Sequence, residues 1–361
     1  MINYSKYKIH EIKGRYITND SLLRLSFSND FNILGFSVGE APVYYLKLGS
    51  GSLNILIWSQ MHGNESTSTK SLIDLISFLK SNGKDYLNYV TFHIVPILNP
   101  DGALNYTRDN FNGIDLNRDF LNFSQPESRL LKDLYDSVKP DFCFNLHDQR
   151  SIYSVKGTNK SSIISLLSPT VDNSKSETSS RIKSMKVICS IYSKLNKVIE
   201  GHVSRFNDDY NPNCVGEAFQ TQGTPTILFE SGQFGEDYTR ENTREFMCYS
   251  LISAVQSIVK LEYEKIVHKK YYLIPENDKR FFDVLIKNVL LSEKNKTIRS
   301  DLGFRFKENL CKKTKKITFD PKIIEHGNLK SMNGHKEIDF INNSKIFNIK
   351  SNNLAELFKK M

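Results

Sequence analysis

The chain has 361 residues, 39% hydrophobic and 25% charged, with a formal net charge of +9. That length accommodates one large α/β domain and a smaller one, and the composition is that of a globular protein. No apolar run reaches about eighteen residues, so no transmembrane helix and no membrane partner are expected. The N-terminal stretch "MINYSKYKIHEIKGRYI" lacks the continuous apolar segment of a secretory signal, which leads to a cytoplasmic expectation. Five scattered cysteines, never spaced C-x-x-C, argue against a disulfide framework or a cysteine zinc cluster. Much of the positive charge sits in the last third, as in "KENLCKKTKKITFDPK". It lacks the aromatic–basic interleaving of nucleic-acid binders and reads as a solvated surface, so no nucleic-acid partner is expected.

In chain order, "VYYLKLG" and "LNILIWS" read as strands separated by turn residues at Gly49 to Ser52. "STKSLIDLISFLKSNG" has helical periodicity, with Ser66 or Thr67 as cap and Gly83 as stop. "YVTFHIVPILNPDG" predicts a strand that ends in a turn at Asn99-Pro100-Asp101-Gly102. A helix at "QPESRLLKDLYDSV" precedes a short strand, "DFCFNL", which ends at His147. The serine- and threonine-rich stretch from about 151 to 182 contains strand-like "SIYSV" and "IISLL" and reads as an ordered excursion. "SSRIKSMKVICSIYSKLNKVI" is a helix, "TPTILFE" a buried strand ending at Glu230, and "TRENTREFMCYSLISAVQSIV" a helix. This alternation predicts a mostly parallel sheet covered by helices on both faces. Beyond about residue 268 the texture changes, and "KYYLIP", "FFDVLI" and "KITFD" read as short strands. The expected organisation is a catalytic domain over 1–267 and a small β-rich domain over 268–361.

Ligand sites of parallel α/β sheets lie beyond the carboxyl ends of the strands. His62 with Glu65, His147 and Glu230 all fall at such ends. Singly, each has an ordinary explanation: a helix-entry turn, a packed histidine, a solvated glutamate. Together they bring two histidines and two carboxylates to one rim. A catalytic zinc uses three His or carboxylate ligands and an open position, which His62, Glu65 and His147 would supply. Glu230 would remain as a general base. Between them, "NPDGALNYTRDNFNGIDLNRDF" carries Arg108 and the pair Asn117-Arg118. Guanidinium groups fork carboxylates, and an arginine beside a metal can stabilise an oxyanion.

"HGNE", "NPDG", "TRDNFNGIDLNRDF", "NLHD" and "TILFESG", in that order, resemble the zinc carboxypeptidases related to carboxypeptidase A. The resemblance covers roughly residues 35 to 260 and excludes the C-terminal part. It implies an α/β/α sandwich around a mixed, mostly parallel sheet of about eight strands, and one Zn2+ per chain. It implies that His62, Glu65 and His147 hold the zinc, the ligand set of carboxypeptidase A itself. Arg108 would polarise the scissile carbonyl and stabilise its oxyanion. Asn117 and Arg118 would hold the substrate's terminal carboxylate, and Glu230 would act as general base. The substrate would be a peptide, or an acyl-amino acid, with a free carboxylate.

Three departures stand out, one being that no secretion signal or activation segment of the digestive members' kind is seen. The family's second histidine is commonly followed by Ser or Thr, whereas "HDQR" places Asp148 and Arg150 there. Arg150 either favours an acidic substrate or pairs with Asp148. The family's mobile capping tyrosine has Tyr210 as its best candidate, since Tyr238 lies on the wrong side of Glu230. Elsewhere His93 reads as a packed strand residue, His202 as exposed, and Asp115 as support for the "GIDLNR" turn. Three functions remain open: a metallocarboxypeptidase, a zinc-dependent deacylase of N-acyl amino acids, and a basic binding protein with an inactive peptidase-like domain.

Overall fold

The computed structural model describes residues 3–293 and 296–347. Its centre is an eight-stranded mixed sheet. In chain order the elements begin with α1 (Asn19–Leu22), β1 (Asn32–Phe36), β2 (Pro42–Leu48), β3 (Leu53–Ser59), α2 (Thr67–Lys80) and β4 (Val90–Val95). There follow α3 (Pro100–Asn105), α4 (Pro126–Val138), β5 (Phe142–Asp148), β6 (Tyr153–Val155), β7 (Ile164–Leu167), α5 (Ser179–Leu195) and β8 (Val203–Arg205). The set closes with α6 (Val215–Thr221), β9 (Thr226–Ser231) and α7 (Glu241–Val259). The strand order is β1-β2-β4-β3-β5-β9-β7-β8, with β4, β3, β5 and β9 running parallel.

The central strands are buried on both faces, which is why they read as continuous apolar runs. Side chains of β3 alternate between two cores. Ile55 and Ile57 pack with α2, α5 and α7, while Leu56 and Trp58 pack with Leu131 and Tyr135 of α4 and Phe219 of α6. The sheet is therefore the middle layer of an α/β/α sandwich, as expected.

Local readings differ at several points. Asn99-Pro100 opens a helix, α3, rather than a free turn: Asn99 Oδ1 accepts the Gly102 N–H at 2.8 Å and Pro100 needs no donor partner in the first turn. "KYYLIP" forms a 3-10 helix over His268–Leu273, not a strand. Tyr271 and Ile274 insert into the core against α5, and that tertiary demand overrides the local β pattern. The edge strand β1 and the three-residue β8 carry too little apolar alternation to be legible.

The C-terminal region is β-rich. β10 (Asn277–Lys279) pairs with β6, and β11 (Phe281–Glu293), β12 (Lys296–Cys311), β13 (Lys316–Gly327) and β14 (Asn333–Asp339) form a sheet in the order β13-β12-β11-β14. β15 (Ile346–Phe347) adds to β11. Its core, built on Val284, Ile286, Leu302, Phe304 and Phe340, is separate from the two above. The expected domain runs on to residue 361, and residues 348–361 lie outside the described residues. The region bears on the rest of the chain: Arg15 and Tyr106 both bind Glu308 of β12, and Tyr238 packs on Phe306 and Phe319.

Candidate active site

β3, β5 and β9 are adjacent and parallel, so their carboxyl ends share one edge. His62 follows β3, His147 closes β5, and Glu230 sits in β9 directly opposite His147 in register. The turn that carries His62 and Glu65 is pinned from several sides. Gln60 donates to the carbonyls of Ile17 and Gly63, and Glu65 N–H donates to His62 O at 3.0 Å. A Cβ on Gly63 would meet the Gly102 carbonyl carbon at 1.9 Å, so only glycine lets α3 approach this closely.

His62 Nδ1 lies 2.9 Å from Glu65 Oε1, His147 Nδ1 lies 2.9 Å from Glu65 Oε2, and the two Nδ1 atoms are 3.2 Å apart. Zinc bonds of about 2.0–2.1 Å around a tetrahedral centre place neighbouring ligand atoms about 3.3 Å apart. The three donors therefore converge as a metal would require, and they form a cluster able to hold one ion. The other ring nitrogen of His62 is 3.0 Å from Asp115 Oδ1, a carboxylate placed to orient the imidazole. Asp115 also accepts the Asn117 N–H and two bonds from Arg108, so it holds both the turn and the His62 ring.

Electrostatics follow from this crowding. Burial opposes the charged form of His62, but Glu65 and Asp115 outweigh it and raise its pKa. Burial also opposes an ionised Glu65, yet the two histidines hold its carboxyl well below the usual range. Burial lowers His147. Burial, then the charges of Glu65 and Asp148, push the Glu230 carboxyl well up. Glu230 Oε2 is buried with no hydrogen-bond partner among the described residues.

These groups line one cleft of about 1040 Å³, which also takes in Arg108, Asn117, Arg118, Arg150 and Tyr210. All nine residues singled out in the sequence thus meet in a single cavity. Arg108 bonds Asp115 and, through Nη1 at 3.3 Å, Glu65. Arg118 Nη1 donates to Asn117 O and Cys214 Sγ and, among the described residues, meets no carboxylate within bonding distance. Asn117 Oδ1 accepts the Val215 N–H. Arg150 is exposed on the wall. It does not pair with Asp148, whose carboxylate turns instead to the Thr67 and Ser68 N–H groups at 2.8 and 2.9 Å. Asp148 is thus the cap of α2. Ser66 and Thr67 do not serve: Ser66 Oγ donates to Arg15 O, and Thr67 Oγ1 has no partner among the described residues. His93 packs within its strand against Tyr45 and Asn54. His202 is half-buried, bonded to Ser161 O, and outside the cleft.

The sequence did not mark Arg15, Arg240, Phe306, Glu308 or Phe319 as cleft residues. No local pattern points to them. Glu308 joins Tyr106 and Arg15 across separations of roughly two to three hundred residues.

Residues 30–185 match the model of the zinc carboxypeptidase family. The match contains the metal cluster, Arg108, Asn117, Arg118 and Arg150; Tyr210 and Glu230 lie beyond it. Zinc is the metal of that family, and the His62–Glu65–His147 cluster fits it. Carboxypeptidase 2 of Trichophyton rubrum is 28% identical over 142 residues, covering 35% of this chain and 26% of that protein. The chain thus spans about a quarter of that curated relative's length. A metallo-carboxypeptidase from Burkholderia cenocepacia superposes with a TM-score of 0.52 at 17% identity, over 68% of each chain. Carboxypeptidase A from Helicoverpa armigera gives 0.53 at 15% identity, over 67% of this chain and 71% of that one. These likenesses establish the fold. Among the described residues, no helix is long and apolar enough to cross a membrane.

Proposed function

We propose that the protein is a zinc-dependent carboxypeptidase that hydrolyses the C-terminal bond of a peptide or peptide-like substrate. One observation carries the reading. A metal-fit cluster and, among the described residues, an unpartnered Glu230 oxygen and an Arg118 guanidinium without a carboxylate partner open into the same cleft.

Zinc at His62, Glu65 and His147 would supply Lewis acidity toward water and the scissile carbonyl. Glu230 takes a proton from the attacking water at its free Oε2 and returns it to the leaving amine. Its raised pKa suits that exchange. Arg108 is tethered to Asp115 through Nε while its side chain is 44% exposed, which leaves it free to turn from Glu65 to a developing oxyanion. Arg118 forks the terminal carboxylate, and Asn117, fixed through its carbonyl oxygen, offers its amide N–H to the same group. Tyr210 covers the bound residue, and Arg150 contacts the substrate at the rim.

The chain divides, in this reading, into a catalytic domain over 1–267 and a β-rich domain over 268–361, supported by the separate C-terminal core. We place the protein in the cytoplasm, with which its five free cysteines accord.

The test is product analysis by mass spectrometry, using zinc-loaded protein with mixed peptides and acyl-amino acids, a chelator control and Glu230→Gln. Loss of single C-terminal residues, abolished in both controls, is the expected result. Release of free acyl groups would instead establish a deacylase. Undiminished activity in Glu230→Gln would remove Glu230 from the base role.

A further inference from the structure

The C-terminal sheet supplies part of the cleft wall. Lys279, Asp283, Arg305, Phe306, Glu308 and Phe319 all line it, and all lie outside the residues matched to the zinc carboxypeptidase family. One corner of that wall is held against the segment that leaves β5. Phe281 N–H donates to Ile152 O at 3.1 Å, His335 Nε2 donates to Ser151 O at 2.7 Å, and Lys279 pairs with Tyr153 in register. Arg150 stands at the start of the same segment and lines the cleft. Arg305 of β12 leans into the corner across the strand pair, with its guanidinium carbon 5.9 Å from the centre of the Phe282 ring.

The charges at this corner are unbalanced. Neighbouring cations outside the cleft have acidic partners: Arg280 has Asp278, Lys156 has Glu276 and Lys336 has Glu236. The cleft-lining Arg150, Lys279 and Arg305 have no ion pair among the described residues. Glu308 is taken by Arg15. Asp283 is 3% exposed; its Oδ2 accepts the Phe306 N–H at 2.8 Å, and its Oδ1 is buried without a partner among the described residues. Arg305 Nε is likewise buried and unpartnered. Such groups cost stability unless a ligand satisfies them. Arg150, Lys279 and Arg305 outnumber Asp283, so the field at the corner favours an anion.

The corner also lies across the cluster from Arg118. Arg118 bonds Cys214 at the head of α6, which packs on one face of the sheet through Val215 and Phe219. The C-terminal wall bears instead on Tyr238, which leads into α7 on the other face. The carboxyl edge of the sheet, with His62, Glu65 and His147, runs between the two.

We propose that Arg150, Lys279 and Arg305 form an anion subsite for the part of the substrate upstream of the scissile bond, and that the protein favours peptides with an acidic residue there. The inference rests on the carboxypeptidase reading. A peptide whose terminal carboxylate sits on Arg118 passes the cluster and continues toward the C-terminal wall. Its Asp or Glu side chain is forked by Arg305 and met by Lys279 and Arg150, while a backbone N–H reaches Asp283 Oδ1.

The experiment has two readouts. Peptides identical except for one upstream residue, Glu, Gln or Lys at each position in turn, are compared by kcat/KM with the zinc-loaded protein. Binding of non-hydrolysable analogues, with the scissile carbonyl reduced to a methylene, is measured by calorimetry on the same protein. Both are repeated at raised salt and with Lys279→Gln and Arg305→Gln, each checked by circular dichroism. Lys279 is exposed, so replacing it disturbs no core. At one position Glu is expected to lead Gln by about tenfold and Lys to trail it. Each variant should shrink that lead, and so should salt. If the peptides are shortened but Glu, Gln and Lys perform alike at every position in both readouts, the subsite is overturned while the carboxypeptidase reading stands. A Glu lead that neither variant shrinks also overturns it. If no peptide is shortened yet the Glu analogue is bound in preference, and less so by both variants, the subsite stands and that reading falls.

Discussion

Asp148 accepts the backbone N–H and the hydroxyl of Ser68 on one carboxylate oxygen, at 2.9 and 3.0 Å. The residue after His147 thus caps the helix that begins just after Glu65. Asp148 N–H also donates to Glu65 Oε2 at 3.1 Å. β5 and α2 are locked together where the cluster forms. Asp148→Ala is expected to cost about 3 kcal/mol in denaturant unfolding of the metal-free protein, since buried donors lose a charged acceptor. An unchanged midpoint would show that the cap carries no stability.

Asp115 holds the far side of His62 at 3.0 Å. Asp115→Asn keeps the shape and removes the charge. Zinc affinity, read by chelator competition, should fall about 10- to 100-fold. An affinity equal to that of the unmodified protein would mean that the contact orients nothing.

Among the described residues Arg118 has no carboxylate partner within bonding distance. Arg118→Ala should lower kcat/KM for peptides with a free terminus about 100-fold, the loss of a charged fork worth roughly 3 kcal/mol. Amidating the peptide's C-terminus should harm the unmodified enzyme similarly and the variant hardly at all. A variant that still discriminates the amidated peptide would place the carboxylate elsewhere.

Asp74 of α2 and Arg244 of α7 form a two-pronged ion pair at 2.6 and 2.7 Å, with both side chains fully buried. Arg244 also binds the carbonyls of Ile9 and Ile12, which fastens the N-terminal segment to the helical layer. Arg244→Met leaves a buried carboxylate uncompensated and is expected to cost about 3–5 kcal/mol. Asp74→Asn in the same background should recover part of that loss; no recovery would mean that the carbonyl contacts, not the ion pair, dominate.

Lys70 is fully buried, bonded to Thr239 O and Glu241. Burial, only partly offset by Glu241, lowers its pKa from 10.5 to about 8. The unfolded chain therefore binds more protons between those values, and stability should rise with pH across that window. The contribution is fully present above 10.5 and lost as pH falls through 8, up to about 3 kcal/mol for this group. Lys70→Met should flatten the rise in urea unfolding between pH 8 and 10. An equal slope in both proteins would assign it to other groups.

Much of the site was legible before any coordinates. His62, Glu65, His147 and Glu230 stand at strand ends, and strand ends can be read from short apolar runs. Arg108, Asn117 and Arg118 came with a continuous motif. Asp148 and Arg150 stand out in "HDQR", but their partners in space do not. Capping of α2 by a residue some eighty positions away has no local signature. The same holds for "KYYLIP", where docking of Tyr271 decides a 3-10 turn over a strand.

Periodicity and ordered motifs, which act within a few residues, already specify the layered α/β plan and the residues of the His62–Glu65–His147 cluster. They did so because burial on one face and chain reversal at turns are local demands. The C-terminal wall of the cleft belongs to tertiary structure alone. Lys279 and Arg305 are unremarkable letters in "ENDKR" and "GFRFK" until β10 and β12 are packed beside the segment that leaves β5. Packing also brings Glu308 to Arg15 and Tyr106, drawing the C-terminal sheet to the cleft. Whether a cation lacks a counter-ion depends on every neighbour in space, and the linear order of residues does not carry that information.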